Sequence, residues 1–253
     1  MEVITVNLED DFIKFSVNGK LEKYRVESLF DKEPETIKWI ENSILSSDIA
    51  KPVFFDIGAN IGIYSLYAGA LNPLSNIYSF EPSSANFQSL LRNIQANSFE
   101  NIHANYFAVS SKSEYTKLYI SDTRPGNSGA QINEPINENG EKFNAEEVNS
   151  VLKVSIQDLK EFFAFPTPNY IKIDVDGHEH EILSSILPCL KHNMFKSMLV
   201  EFNSEESLKY WTTEFLKFGI YRDDKYENIK NHSSVRRGKN GGKAKNVVFS
   251  KRS

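Results

Sequence analysis

Two short stretches of this chain concentrate the residue types that chemistry needs. The first is Val53–Glu81, VFFDIGANIGIYSLYAGALNPLSNIYSFE. Val53-Phe54-Phe55 is a short apolar run of β-formers, fit for a strand buried on both faces. Asp56-Ile57-Gly58-Ala59-Asn60-Ile61-Gly62 follows, where glycines let the backbone approach a ligand closely. Ile63–Leu71 predicts a helix and Asn76–Phe80 the next strand, ending on Glu81. In a doubly wound sheet an acid at that point accepts both ribose hydroxyls of a nucleoside. The second stretch is Tyr170–Leu183, YIKIDVDGHEHEIL, which predicts a strand over Tyr170–Ile173 with Asp174, Asp176, His178 and Glu179 packed into its exit. Ligands of open α/β sheets bind beyond the carboxyl ends of strands, so these four residues face the same ligand.

The spacing narrows the ligand. A dinucleotide fingerprint needs glycines at the first, third and sixth positions of G-x-G-x-x-G. Counted from Gly58, the third position is Asn60 and the sixth Ile63, so the fingerprint fails. A pyrophosphate needs those close approaches; a nucleoside without phosphates does not. D-x-G-x-x-x-G with an acid ending the next strand resembles the first two motifs of class I methyltransferases that use S-adenosylmethionine (SAM). That resemblance implies that Asp56 and the loop of Gly58, Asn60 and Gly62 hold the amino acid end, Glu81 the ribose, and Ala108 the adenine. The plainer reading of Gly58 and Gly62 is a tight strand-to-helix turn.

Three stretches together resemble the FkbM family of SAM-dependent methyltransferases: FFDIGANIGIYS (Phe54–Ser65), SFEPSSANF (Ser79–Phe87) and IKIDVDGHEHEIL (Ile171–Leu183). Glu33-Pro34-Glu35-Thr36 with Trp39 upstream, and Leu199–Asn203 downstream, fall in the order the family has, so the resemblance covers residues 33–203. The family commonly has Glu between Val and Gly of the third block, where this chain has Asp176. The implied fold is α/β: a Rossmann-like class I SAM-methyltransferase fold with a central, mostly parallel seven-stranded sheet and helices on both faces. The implied activity is O-methylation of a hydroxyl, often on a sugar or polyketide in bacterial secondary metabolism or surface glycans. The expected acceptor is a nucleotide-activated or capsular sugar such as a heptose. Alternatives are a polyketide or other small-molecule hydroxyl, and a non-catalytic SAM-fold module docking a glycosyltransferase.

Methyl transfer from a sulfonium needs alignment and removal of a hydroxyl proton. Asp174, ending its strand, and His178, whose imidazole titrates near neutral pH, are both candidate bases. Asp176 and Glu179 are candidates to orient His178 or the acceptor; Asp176 as a helix N-cap reads almost as well. Asp174, Asp176, Glu179 and Glu201 could instead hold Mg²⁺, although no spacing is diagnostic and no residue is assigned as a metal ligand. Cys189, beyond Pro188, fits packing rather than methyl relay.

The elements that position these residues follow from patterning. Glu2–Val6 and Asp11–Val17 alternate, Asn18-Gly19 reads as a hairpin turn and Leu21–Val26 as the returning strand. Pro34–Leu45 predicts a helix with Ile37, Ile40, Ile44 and Leu45 on one face. This extension, residues 1–50, is expected to cover an edge or mouth of the sheet, which leaves acceptor binding and a homodimer contact both open. Residues 51–253 are expected, from the resemblance, to form the methyltransferase domain, with helix Ser83–Asn97, strand Asn101–Val109, strand Tyr115–Ile120, a loop or cap over 121–150 and strand Val151–Ile156. Within the cap, Pro125–Ile132 sits where a lid would lie. Asp158–Phe163 and His180–Leu187 predict helices, the latter ended by Pro188, with Ser197–Phe202, Phe218–Tyr221 and Val247–Phe249 as further strands.

Composition sets the remaining bounds. With 253 residues, 40% hydrophobic and 25% charged, the chain is ordinary for one α/β domain with additions. One cysteine precludes an internal disulfide, and MEVITVNLEDD lacks the basic and apolar regions of a signal peptide, so a cytoplasmic location without a membrane span is expected. Residues 222–253 hold ten Lys/Arg against three Asp/Glu, a charge of +7 within a net −5, so the preceding part carries −12. The basic loop at 229–246 reads as a solvated loop or as a clamp on acceptor phosphates; nucleic acid is a poor match for one short basic loop on an acidic chain.

Overall fold

The computed structural model describes residues 1–137, 139–227, 229, 236–237 and 243–251. Strands β1 (Glu2–Asn7) and β2 (Phe12–Val17) pair antiparallel and are followed by helices α1 (Lys20–Glu27) and α2 (Pro34–Ile44). Then β3 (Val53–Ile57), α3 (Ile63–Leu71), β4 (Asn76–Phe80), α4 (Ser84–Asn97) and β5 (Ile102–Asn105) alternate. β6 (Ala108–Ser110), β7 (Glu114–Ile120), β8 (Ala130–Ile132) and β9 (Glu147–Ser155) form a separate four-stranded sheet in the order β6-β9-β7-β8. The chain continues through α5 (Ile156–Glu161), β10 (Tyr170–Ile173), α6 (Glu179–Leu190), β11 (Ser197–Phe202), α7 (Glu205–Leu216), β12 (Ile220–Arg222), β13 (Arg236–Arg237) and β14 (Lys243–Lys251).

The main sheet runs β12-β14-β11-β10-β3-β4-β5, with β13 paired to β14 beside this path. Neighbours from β11 to β5 are parallel, whereas β14 is antiparallel to both β11 and β12. This is the strand order of the class I SAM-methyltransferase fold. Because strand side chains alternate, adjacent phenylalanines of β3 serve opposite faces. Phe54 joins a core with α2, α3 and α4, and Phe55 joins one with α5, α6 and α7. Both faces are thus covered, and the carboxyl ends of β3, β4 and β10 open toward one side.

Several elements depart from the sequence-based reading. The hairpin turns at Leu8–Asp11, where Leu8 N–H donates to Asp11 O, and Leu21–Val26 is helix, not strand. Glu22 overrides the Asn-Gly turn signal: its carboxylate accepts from the N–H groups of Asn18 (2.5 Å) and Gly19 (3.2 Å), capping α1. β2 lies against α4 rather than a sheet edge, through Lys14 N to Asn97 Oδ1 (2.7 Å) and Ser16 N to Asn93 Oδ1 (2.8 Å). The expected strand 101–109 breaks at Tyr106-Phe107, and Ala108 begins a strand of the second sheet. Pro188 does not end α6, which runs on to Leu190 although the proline offers no N–H to the carbonyl of Ser184, and fully buried Leu190 anchors the last turn. Leu45, expected on the apolar face of α2, is exposed. Residues 121–150 are not all loop, since they contain β8 and the start of β9. Most of the basic loop lies outside the described residues; β13 and the start of β14 pair as a short ladder. Among the described residues no helix is long and apolar enough to cross a membrane.

Candidate active site

The turn after β3 is built so that two strands nearly touch. Gly58 has φ +82°, and a Cβ there would stand 2.0 Å from the carbonyl oxygen of Asp174 at the end of β10. Gly62, at φ +88°, starts α3 where a Cβ would meet Leu90 Cδ1 of α4 at 2.4 Å. Between them Asn60 takes a left-handed turn (φ +52°) and aims its N–H at Glu81 Oε2, 2.8 Å away. Glu81 is buried, with Oε1 accepting from Ser83 N (2.8 Å). Burial pushes its carboxyl up to about 7, against the opposing pull of these two N–H groups.

Two cavities meet over this turn, sharing Gly58, Pro82, Ala130 and Val175 in their walls. The apolar arm, about 50 Å³, is lined by Phe80, Phe107, Ala108, Leu118, Ile132 and Ile182, with His178 in its wall. The polar arm, about 130 Å³, is lined by Arg25, Lys32, Asn60, Glu81, Asn86, Asp174 and Asp176. The segment Gly126–Ser128 closes the polar arm. Asn60 Nδ2 and Asn86 Nδ2 both donate to Asn127 O at 2.9 Å, and Gly126 N donates to Asn86 Oδ1 at 2.8 Å. A larger open groove, about 690 Å³, lies where β10 and β11 begin; ligands of this fold bind at the other end of the strands.

A buried ammonium lies under the polar arm. Lys172, 1% exposed, points from β10 to Asp174 Oδ2 (3.0 Å) and Asp56 Oδ1 (3.7 Å), with the Tyr64 ring 5.0 Å away. Asp56 also accepts from Ser65 Oγ at 2.6 Å, and its Oδ1 has no hydrogen-bond partner. Burial would raise Asp174, but Lys172 and a hydrogen bond from Glu201 outweigh it and hold its carboxyl well below the usual range. Burial and the Asp174 charge push Glu201 well up. These opposed shifts favour the proton on Glu201 and the negative charge on Asp174.

The structure thus separates the residues that the sequence grouped. Gly58, Asn60, Glu81 and Asp174 line the polar arm, Asp176 beside them, and Ala108 lines the apolar arm. Asp56 lies beneath the cavity, fully buried against Lys172 and Ser65, rather than in its wall. His178 lines the apolar arm, with Nε2 2.9 Å from Gln131 Oε1, whereas Asp174 lines the polar arm. Burial lowers its pKa, so its ring is neutral at pH 7. Glu179 folds back to accept Gly177 N at 3.1 Å. Asp176 holds φ +49°, a left-handed turn that Asp tolerates better than Glu, and its carbonyl accepts from Gln131 Nε2 at 2.8 Å. Among the described residues no three His, Cys, Asp or Glu side chains converge as a set able to hold a metal ion.

Sequence reasoning passed over Lys172, Arg25, Asn86 and Asn127. Lys172 had a signal, as the one charged side chain within a strand buried at every position. The placement of His178 gives a test. His178→Ala is expected to weaken binding of an adenine nucleoside about threefold to tenfold, since one wall of an apolar arm is lost. The pH profile of turnover should keep its shape. Calorimetry with adenosine and S-adenosylhomocysteine (SAH), alongside that profile, checks this; loss of the acidic limb would make His178 the base.

Known proteins resemble this chain at low identity. Over 158 residues the chain is 27% identical to methyltransferase sdnD of Sordaria araneosa, covering 54% of this chain and 61% of the relative. It is 26% identical over 179 residues to the hexuronic acid methyltransferase AglP of Haloferax volcanii, covering 70% and 66%. The chain therefore spans under two thirds of the length of these relatives. Among solved structures, precorrin-6y C5,15-methyltransferase from Geobacter metallireducens aligns over 94% of each chain at 11% identity and a TM-score of 0.47. Residues 56–219, from the acid of β3 past α7, match the methyltransferase FkbM domain, and the chain belongs to that family.

Proposed function

We propose that this chain is a SAM-dependent O-methyltransferase acting on a hydroxyl of a sugar, nucleotide-activated or part of a surface glycan. The observation that carries the reading is the two-armed cavity, whose apolar arm at Ala108 and polar arm at Glu81 and Asp174 meet over Gly58. The donor set suits SAM: an apolar box for adenine, a buried carboxylate for a ribose diol, and mixed charges for an amino acid zwitterion. When bound, SAM supplies a methyl group on a sulfonium. The remaining work falls to the protein. Glu81, fixed by Asn60 and Ser83, holds the ribose. Asp174, kept ionised by Lys172, accepts the acceptor hydroxyl's hydrogen. Closure by Asn127 excludes water. The sugar class is supported by the hexuronic acid activity in the name of one relative.

Calorimetric titration of SAM and SAH tests the cofactor, and a screen of nucleotide sugars and uronic acids for SAH release tests the acceptor. Micromolar binding is expected; its absence overturns the reading, and turnover on polyketide hydroxyls alone would replace the acceptor class. The acidity of Glu81 adds a pH signature. Its carboxyl is near 7 in the folded chain and 4.5 in the unfolded one, so the proton held by the fold favours folding at the acid end. That contribution is lost as pH rises through 7. Ribose needs the ionised form, so SAH affinity is expected to weaken as pH falls below 7, by up to about tenfold per unit. A flat profile from pH 5.5 to 8.5 would contradict the ribose assignment.

A further inference from the structure

We infer that Arg25, on α1 of the N-terminal extension, receives the α-carboxylate of the cofactor. The inference rests on the SAM reading above. It starts from charge matching in the polar arm, whose walls present the carboxylates of Glu81, Asp174 and Asp176 and the cations Arg25 and Lys32. The amino acid end of SAM carries one ammonium and one carboxylate. The acids suit the ammonium; the carboxylate needs a cation. Lys32 stands 3.6 Å from the buried carboxylate of Glu33, which neutralises it. Arg25 donates through Nε to the carbonyl of Gly126. A guanidinium has five N–H donors in a planar fork that matches a carboxylate, and Gly126 engages one of them.

The position of Arg25 is built into the fold. Glu22, one turn earlier on α1, is fully buried and accepts from Ser89 Oγ (2.7 Å) and Arg92 Nη2 (3.3 Å) of α4. Residues three apart share a helix face, so the contact that buries Glu22 also turns Arg25 toward the cavity. Burial raises both Glu81 and Tyr64, and the Arg25 guanidinium opposes the rise at each. It therefore lies within electrostatic reach of the ribose acid and of the start of α3, in the wall of the polar arm. Arg25 precedes the family match, which begins at residue 56, so the cofactor site extends into a part of the chain that the family domain does not include.

The test compares two nucleosides that differ at the amino acid end. SAH has the carboxylate; 5′-methylthioadenosine has the adenine, ribose and sulfur without it. Arg25→Met is expected to weaken SAH at least tenfold in calorimetry while leaving methylthioadenosine unchanged, with Arg25→Lys between the two. Unchanged methylthioadenosine binding also shows that the variant is folded. Equal affinity of the variant for SAH would overturn the inference. So would a parallel loss of both nucleosides, which would assign Arg25 to holding Gly126 over the ribose. Failure of the unaltered protein to bind either nucleoside would instead overturn the SAM reading itself, and the inference with it.

Discussion

Asp174→Asn is expected to lower turnover about a hundredfold, the lower end of what general acid–base groups contribute, while SAH affinity falls by no more than about tenfold because Asp176 still faces the ammonium. Asp174 is ionised but weakly basic, because Lys172 sits 3.0 Å away. A weak base suffices for methyl transfer. As the new C–O bond forms, the hydroxyl becomes an oxonium and its proton turns strongly acidic, so the proton leaves late. Asparagine cannot accept it as an anion. The neighbouring acid gives the control. Glu201 is pushed well up by burial and by the Asp174 charge, which favours its protonated form as the donor to Asp174. Glu201→Gln keeps a neutral donor there and should cost no more than about threefold, a small fraction of what a lost charge costs. SAH release with the acceptor found by screening measures both. Comparable losses in the two variants would mean that the pair, and not Asp174, acts as the base.

Gly58→Ala is expected to abolish measurable SAH binding and to lower stability by about 3 kcal/mol or more, roughly 6–12 °C in Tm for a chain of this size. The added Cβ would lie 2.0 Å from Asp174 O, an atom of a neighbouring backbone that cannot swing aside. Relief requires β3 and β10 to part at the centre of the sheet, where Asp174 N bonds Ile57 O at 3.1 Å. Gly219 separates this clash from the cost of backbone angle. It has φ +70° with nothing within 4 Å of a built Cβ, so Gly219→Ala should lose only about 1 kcal/mol. Thermal unfolding of both variants gives the comparison; similar losses would mean that the backbone angle, not the contact, governs position 58.

What could be read from the chain follows from how local each determinant is. α3, β4, β10 and β11 have the residues that patterning assigns, and β3 runs two residues past its apolar run, because strands buried on both faces are mostly apolar. Asn18-Gly19 misled because its competitor, Glu22, acts through both a cap and a contact with α4, and the second is invisible to local spacing. Likewise 101–109 carries enough apolar residues for one strand, yet its two halves join different sheets. At the site, residues fixed by the backbone at strand ends, such as Glu81 and Asp174, could be placed by rule. His178 could not, since a helix-start side chain chooses its direction from partners such as Gln131, which lies on β8. Arg25 and Asn127 enter the site from distant segments, so no motif spacing contains them.

β14 is inserted between β11 and β12, although it follows both in the chain. On the ribosome, β11 therefore emerges with one edge unpaired, and the three residues of β12 have no strand to join until Lys243–Lys251 appears. An apolar strand with a bare edge is a template for other chains. Completion of the sheet by a late, sequence-distant partner is also slow compared with local pairing. Synthesis of this protein thus passes through a stage in which the ligand-binding half can be assembled while the opposite edge is sticky, and that interval is when holding chaperones are most needed.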